Sequence, residues 1–91
     1  MGFRHRPGLS VRLVDGEVVI LDRETEKIHQ LNSTASLVWN RLAKESDLAD
    51  VAREFSTLFD VEESAALEDV RRIVEKLREL RLLLPLVEIH S

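Results

Sequence analysis

Ninety-one residues, 44% of them hydrophobic and 33% charged, make one small globular domain able to bury a single core. The net charge of −4 argues against non-specific nucleic-acid binding, and no apolar run approaches the ~20 residues that span a bilayer. The absence of cysteine excludes a disulfide frame, a thiolate metal site and a thiol nucleophile, and it fits a reducing cytoplasm.

Residues 1–8 (MGFRHRPG) are basic, contain Pro7 and lack periodicity, so they read as a flexible tail. Leu9, Val11 and Leu13 alternate with Ser10 and Arg12, the pattern of a half-buried strand. Asp15-Gly16 is a strong hairpin signal, because a type I′ turn needs positive φ at both central residues. Val18 to Leu21 forms the second strand of this reading. After a polar turn, Lys27-Ile28-His29-Gln30-Leu31 forms the third. An open three-stranded meander leaves an edge of unpaired N–H and C=O groups that needs covering, charging or a partner.

From Asn32 onward the pattern changes to helix. Ala35, Val38, Trp39 and Leu42 recur at i, i+3, i+4 and i+7, with Asn32 or Ser33 as N-cap and Trp39, the only tryptophan, as core anchor. This helix is expected to run to about Lys44. Ser46 or Asp47 then caps a second helix, with Leu48, Val51, Ala52, Phe55 and Leu58 or Phe59 facing inward. Asp60 with Glu63 resembles a capping box and opens the longest helix, whose core stripe reads Ala66, Val70, Ile73, Leu77 and Leu80. Leu84-Pro85 bars further helix, leaving residues 85–91 as a C-terminal tail, with a short added strand over Leu86 to Ser91 as the alternative. The expected fold is α+β: a three-stranded antiparallel sheet followed by three helices, winged-helix-like, spanning residues 9–84.

Few residues suggest chemistry. No nucleophile elbow, phosphate-cradling glycine loop or paired-histidine motif occurs, and the other histidines, His5 and His90, both fall in the expected tails. No catalytic residue, metal or cofactor is expected. The third helix carries a second face, Leu67, Arg71, Val74, Arg78 and Arg81, at spacings of 4, 3, 4 and 3. Alternating aliphatic and guanidinium groups suit a groove that takes apolar side chains and pairs carboxylates. They equally suit a solvated flank whose arginines pair with Glu75 and Glu79. The helix pair from Ser33 to Phe59 also allows an alternative, a small winged-helix DNA-binding regulator. Its candidate reading helix opposes phosphate with Asp47, Asp50 and Glu54 against one Arg53.

The run Leu31-Asn32-Ser33-Thr34-Ala35, followed by Val38-Trp39, resembles the signature of PqqD-like proteins. The spacing of Val51-Ala52 and Phe55 is similar to that family too, as is the series Asp69-Val70, Leu77, Leu80 and Leu82-Leu83. Two turns depart from the family pattern. Lys44-Glu45-Ser46 stands where Asp-Gly is common after the first helix, and Arg81 stands where a glycine is common near the end of the third.

The resemblance implies a leader-peptide recognition domain of ribosomal-peptide biosynthesis. Its function would be that of a non-catalytic peptide chaperone, monomeric or homodimeric, with no nucleic acid or membrane as partner. The leader of a precursor peptide would add as a strand against Lys27, Ile28, His29, Gln30 and Leu31, and lie against the Leu67, Arg71, Val74 and Arg78 face. The arginines would suit acidic leader residues. The chemistry would belong to a separate enzyme: a radical-SAM protein in pyrroloquinoline quinone biosynthesis, a leader protease and a cyclase in lasso-peptide biosynthesis.

Overall fold

The computed structural model describes residues 3–43 and 47–85. Strands β2 (Leu9–Val14), β3 (Glu17–Asp22) and β4 (Lys27–Gln30) form an antiparallel sheet in the order β2-β3-β4. Helices α1 (Ser33–Leu42), α2 (Leu48–Phe59) and α3 (Glu63–Glu79) follow, so the chain is α+β, as its patterning requires. The β2–β3 loop is Asp15-Gly16, with φ of 51° and 81°, the left-handed pair that a type I′ turn needs. Val18, Ile20 and Asp22 are buried on the face of β3 that meets the helices.

Asn32 caps α1 by accepting the Ala35 N–H at 2.9 Å, and Val38, Trp39 and Leu42 are buried along the expected stripe. Ser36 joins the two layers. Its hydroxyl accepts the Val18 N–H at 2.9 Å and donates to the Leu31 carbonyl at 3.2 Å, which fixes where β4 ends and α1 begins. A buried polar group has to be paired in this way, and here the pairing positions two elements.

Residues 3–8 are not wholly a tail. Phe3–His5 forms β1, which pairs antiparallel with β5 (Leu83–Pro85), so the folded unit extends beyond residues 9–84 at both ends. Two things hold this second sheet. Phe3 is buried in the core with Leu82 and Leu83, and the His5 ring stacks on Trp39 at a centroid distance of 3.5 Å. The C-terminal tail expected from residue 85 likewise begins one residue inside β5, and residues 86–91 lie outside the described residues.

The helix ends differ in detail from the expectation. Helix α1 stops at Leu42, and the expected end at Lys44 and the cap at Ser46 fall outside the described residues. Asp60 does not open α3. It closes α2 in the left-handed conformation at φ 52°, and Glu62 occupies the N-cap of α3. A residue that ends one helix with positive φ cannot adopt the extended backbone that starts the next.

The end of α3 is a Schellman turn. Leu82 N–H reaches the Leu77 carbonyl and Arg81 N–H the Arg78 carbonyl, both at 2.9 Å, while Leu77 and Leu82 are buried. Arg81 holds φ 58° there, a conformation that costs a residue with a Cβ. Arg81→Gly should therefore raise stability by roughly 0.5–1 kcal/mol, read as a higher urea midpoint. An unchanged or lower midpoint would mean that contacts of the Arg81 side chain outweigh the backbone strain.

Burial of His5 lowers its pKa below the ordinary imidazole value, and donation from Nε2–H to the Trp39 carbonyl at 2.8 Å offsets only part of that. A folded-state pKa below the unfolded one adds stability above the unfolded value, and this is lost as pH falls through the folded value. Stability should thus decline as pH falls below the ordinary imidazole value and toward the lowered one, a decline that His5→Phe removes. Trp39 fluorescence during urea unfolding reads both curves. A wild-type profile as flat as that of the variant would contradict the assignment.

Candidate functional site

The register of the sheet decides which backbone groups are free. Leu31 N–H donates to the Val18 carbonyl at 2.8 Å, and β3–β4 pairing continues through Ile20↔His29 and Asp22↔Lys27. Hydrogen-bonded and non-bonded pairs alternate in an antiparallel ladder. Lys27, His29 and Leu31 therefore face β3 with their backbone groups. Ile28 and Gln30 turn theirs toward the open edge. In the same strand, Lys27, His29 and Leu31 stand on the helix-facing side opposite Asp22, Ile20 and Val18, whereas Ile28 projects from the other face and is 70% exposed.

Beside this edge lies a trough made of two hollows that meet at Leu80. One is apolar in its floor: Leu31 and Ala35 from one side, Ile73, Leu77 and Leu80 from α3, with Lys76 at the rim. The other is polar, bounded by Lys27, His29, Glu79 and Arg81 and backed by Arg6 and Asp22. Arg6 knots that end together. Its Nε donates to the Arg81 carbonyl at 2.6 Å, its Nη1 to Glu24 Oε2 at 2.8 Å, and its Nη2 to the buried Asp22 carboxylate. Burial pushes the Asp22 carboxyl up. Donation from the Glu24 amide and from the Thr25 hydroxyl and amide, together with the Arg6 charge, outweighs it and holds the pKa below the ordinary carboxylate value. Asp22 therefore stays ionised as the counter-ion of Arg6, and what it adds to stability is lost only as pH falls through that lowered value.

The structure gathers the expected strand residues but not the expected helix face. Lys27, Ile28, His29, Gln30 and Leu31 all lie on or just after β4. On α3, Val74 is buried in the core, Leu67 packs between α2 and the start of α3, and Arg71 is exposed. Arg78 pairs with Glu75 at 3.5 Å and lies over the Phe3 ring, 5.7 Å from its centroid. Ile73, Lys76 and Leu80 instead border the trough.

At 100° per residue these two sets occupy opposite flanks of the Val70, Val74 and Leu77 stripe. The reason is the β1–β5 sheet, which brings Phe3, Leu83 and Leu84 to the Arg78 flank and leaves the Ile73 flank open beside β4. The signals that could have found this were the buried-strand character of Leu82-Leu83-Leu84 and Phe3, the one aromatic side chain of a basic segment.

Among the described residues, no group of three or more His, Cys, Asp or Glu side chains is placed to hold a metal ion. Among them, too, no helix is long and apolar enough to cross a membrane.

Sheet order, open edge and adjoining trough define a small α+β domain that keeps one strand edge accessible beside a helix. The chain belongs to the PqqD family: the family model of coenzyme PQQ synthesis protein D matches residues 17–83, from β3 into β5. Among solved structures, it is similar to a lasso peptide synthetase B1 complexed with the leader peptide. That chain is 36% identical, with a TM-score of 0.86 over 93% of this chain and all of the other. TbiB1 in complex with the TbiA(beta) leader peptide shares the fold, with a TM-score of 0.83 at 19% identity over 93% of this chain and 99% of the other. Comparison with curated proteins gives no match.

Proposed function

We propose that this chain binds the leader segment of a ribosomally made precursor peptide as an added strand on β4, and hands the precursor to a separate modifying enzyme. The observation that carries this reading is the outward-facing backbone of Ile28 and Gln30 beside a trough with an apolar floor. A strand laid there would exchange main-chain hydrogen bonds with those two residues, and its alternate side chains would point into the trough. The Leu31, Ala35, Ile73 and Leu80 hollow suits an apolar leader residue, and Lys76 and Lys27 suit a carboxylate further along. The 36% identity to a lasso peptide synthetase B1 favours a lasso precursor over a pyrroloquinoline quinone precursor as the partner. The enzymes in that case are a leader protease and a cyclase.

The chain takes no catalytic part in this reading. Binding raises the effective concentration of substrate at the enzyme, which needs affinity and an exit path but no reacting group. Duplex DNA is disfavoured by the charges of α2: Arg53 faces Asp50 at 3.5 Å, and Arg41 on α1 is held by Glu54.

The test uses a fluorescently labelled lasso-precursor leader peptide and compares the two flanks of α3. Leu80→Asp should weaken binding at least roughly tenfold, the loss of one apolar contact plus the cost of a buried charge. Arg71→Glu with Arg78→Glu should change it less than about threefold. The opposite ranking would move the site to the other flank.

A further inference from the structure

Strand β4 walls the trough on one side and α3 on the other, yet among the described residues no Cα of β4 comes within 8 Å of one in α3. The width of the trough is therefore set by what holds each end of β4. At the Leu31 end that is Ser36 of α1, bonded to the Leu31 carbonyl at 3.2 Å and to the Val18 N–H at 2.9 Å. At the other end Lys27 pairs with Asp22, whose carboxylate accepts the Glu24 N–H at 3.0 Å and the Thr25 N–H at 3.4 Å and so shapes the turn into β4. Arg6 ties this end down. Its Nη2 donates to Asp22 and its Nη1 to Glu24, while its Nε donates to the Arg81 carbonyl and its backbone N–H to the Leu82 carbonyl at 3.0 Å. Among the described residues it is the one side chain whose hydrogen bonds join the β3–β4 turn to the end of α3.

We propose that Arg6 is a positioning residue for the strand site: it fixes the start of β4 against the end of α3 and so holds the trough at the width that admits an added strand. The proposal rests on the leader reading of the trough. A cation beside a polar hollow ordinarily invites an anion, but each of the three guanidinium nitrogens already donates within the fold, and the side chain is only 15% exposed. The planar fork suits the task, because it presents N–H groups in fixed directions to acceptors from three separate segments. Residue 6 also precedes the matched family region, 17–83, so family membership assigns it no role.

A tie of this kind acts before binding. Without it the trough samples widths that do not take the strand, and apparent affinity falls by the fraction of time that the fitting width is populated. Association slows by that fraction. Dissociation keeps its rate, because the contacts of the formed complex do not include Arg6. An Arg6 that bonded the leader directly would show the reverse, a faster dissociation.

The test compares wild type with Arg6→Lys, which keeps the charge beside Asp22, and with it any electrostatic steering, but cannot reach the three acceptors at once. The chain lacks cysteine, so nitroxide labels on Arg23→Cys and Arg72→Cys, exposed positions on the β3–β4 turn and on α3, report the width in both backgrounds. In the free protein, pulsed electron spin resonance should give a broader distance distribution for Arg6→Lys. Stopped-flow mixing with the labelled lasso-precursor leader should show association slowed about fivefold or more and dissociation within about twofold of wild type. Should Arg6→Lys not fold by circular dichroism, Arg6→Gln with Asp22→Asn takes its place, since it leaves no buried charge unpaired. Equal distance distributions overturn the proposal whether or not the leader binds, as does a loss of affinity carried by dissociation. A wild type that takes up no leader overturns the leader reading instead, and the distances alone then decide whether Arg6 sets the width.

Discussion

Ile28→Pro should weaken leader binding roughly 30-fold or more while leaving the fold intact. The Ile28 N–H points away from β3, so proline removes no bond of the β3–β4 ladder. An edge strand tolerates the fixed φ. What it loses is a donor to the added strand, about 0.5–1.5 kcal/mol, and it leaves a peptide carbonyl unpaired at a further ~1–3 kcal/mol. At 1.4 kcal/mol per decade the sum reaches the predicted loss. His29→Pro is the control with the reversed signature. Its N–H is directed at Ile20, so proline there breaks the ladder and should lower stability before binding is measured. Calorimetric titration with the leader, beside urea melts of both variants, separates the two effects. Equal affinity of Ile28→Pro and wild type would remove β4 from the binding mechanism.

Trp39→Ala should cost roughly 3–5 kcal/mol. Trp39 is 1% exposed, and its ring carries two layers at once. One side packs into the core formed with Val38 and Leu42 of α1, and the other is stacked by His5 of β1. Truncation opens a cavity and unseats β1, and through β1 its partner β5. A domain of this size holds only about 5–10 kcal/mol in total, so the variant should be partly unfolded at ambient temperature. Urea unfolding followed by far-ultraviolet circular dichroism gives the number. A loss under about 1 kcal/mol would mean that His5 and Trp39 are not stacked in the folded chain.

The local features of the fold could be read from the sequence because each has a local cause. Asp15-Gly16 makes a type I′ turn wherever two strands flank it, and Asn32 caps α1 through a contact three residues away. The β1–β5 sheet has no such cause. It pairs Phe3 with Pro85, at opposite ends of the described chain, and only tertiary packing joins them. The place of this sheet also decides which flank of α3 stays open. Both flanks of α3 mix aliphatic and cationic side chains, Leu67, Arg71 and Arg78 on one and Ile73, Lys76 and Leu80 on the other. Helical periodicity places each set on a stripe but does not say which stripe meets which neighbour. Once β1 and β5 occupy the Arg78 flank, Val74 turns into the core and the Ile73 flank borders β4. The open edge of β4 was legible because the strand order leaves it open whichever flank of α3 lies beside it.

Amide hydrogen exchange at Ile28 and Gln30, followed by NMR with and without saturating leader peptide, tests strand addition most directly. The account predicts that both amides, exposed in the free protein, become protected on binding, while Lys27 and His29 change little because they already serve β3. Unchanged exchange at Ile28 and Gln30 in the saturated complex would contradict it.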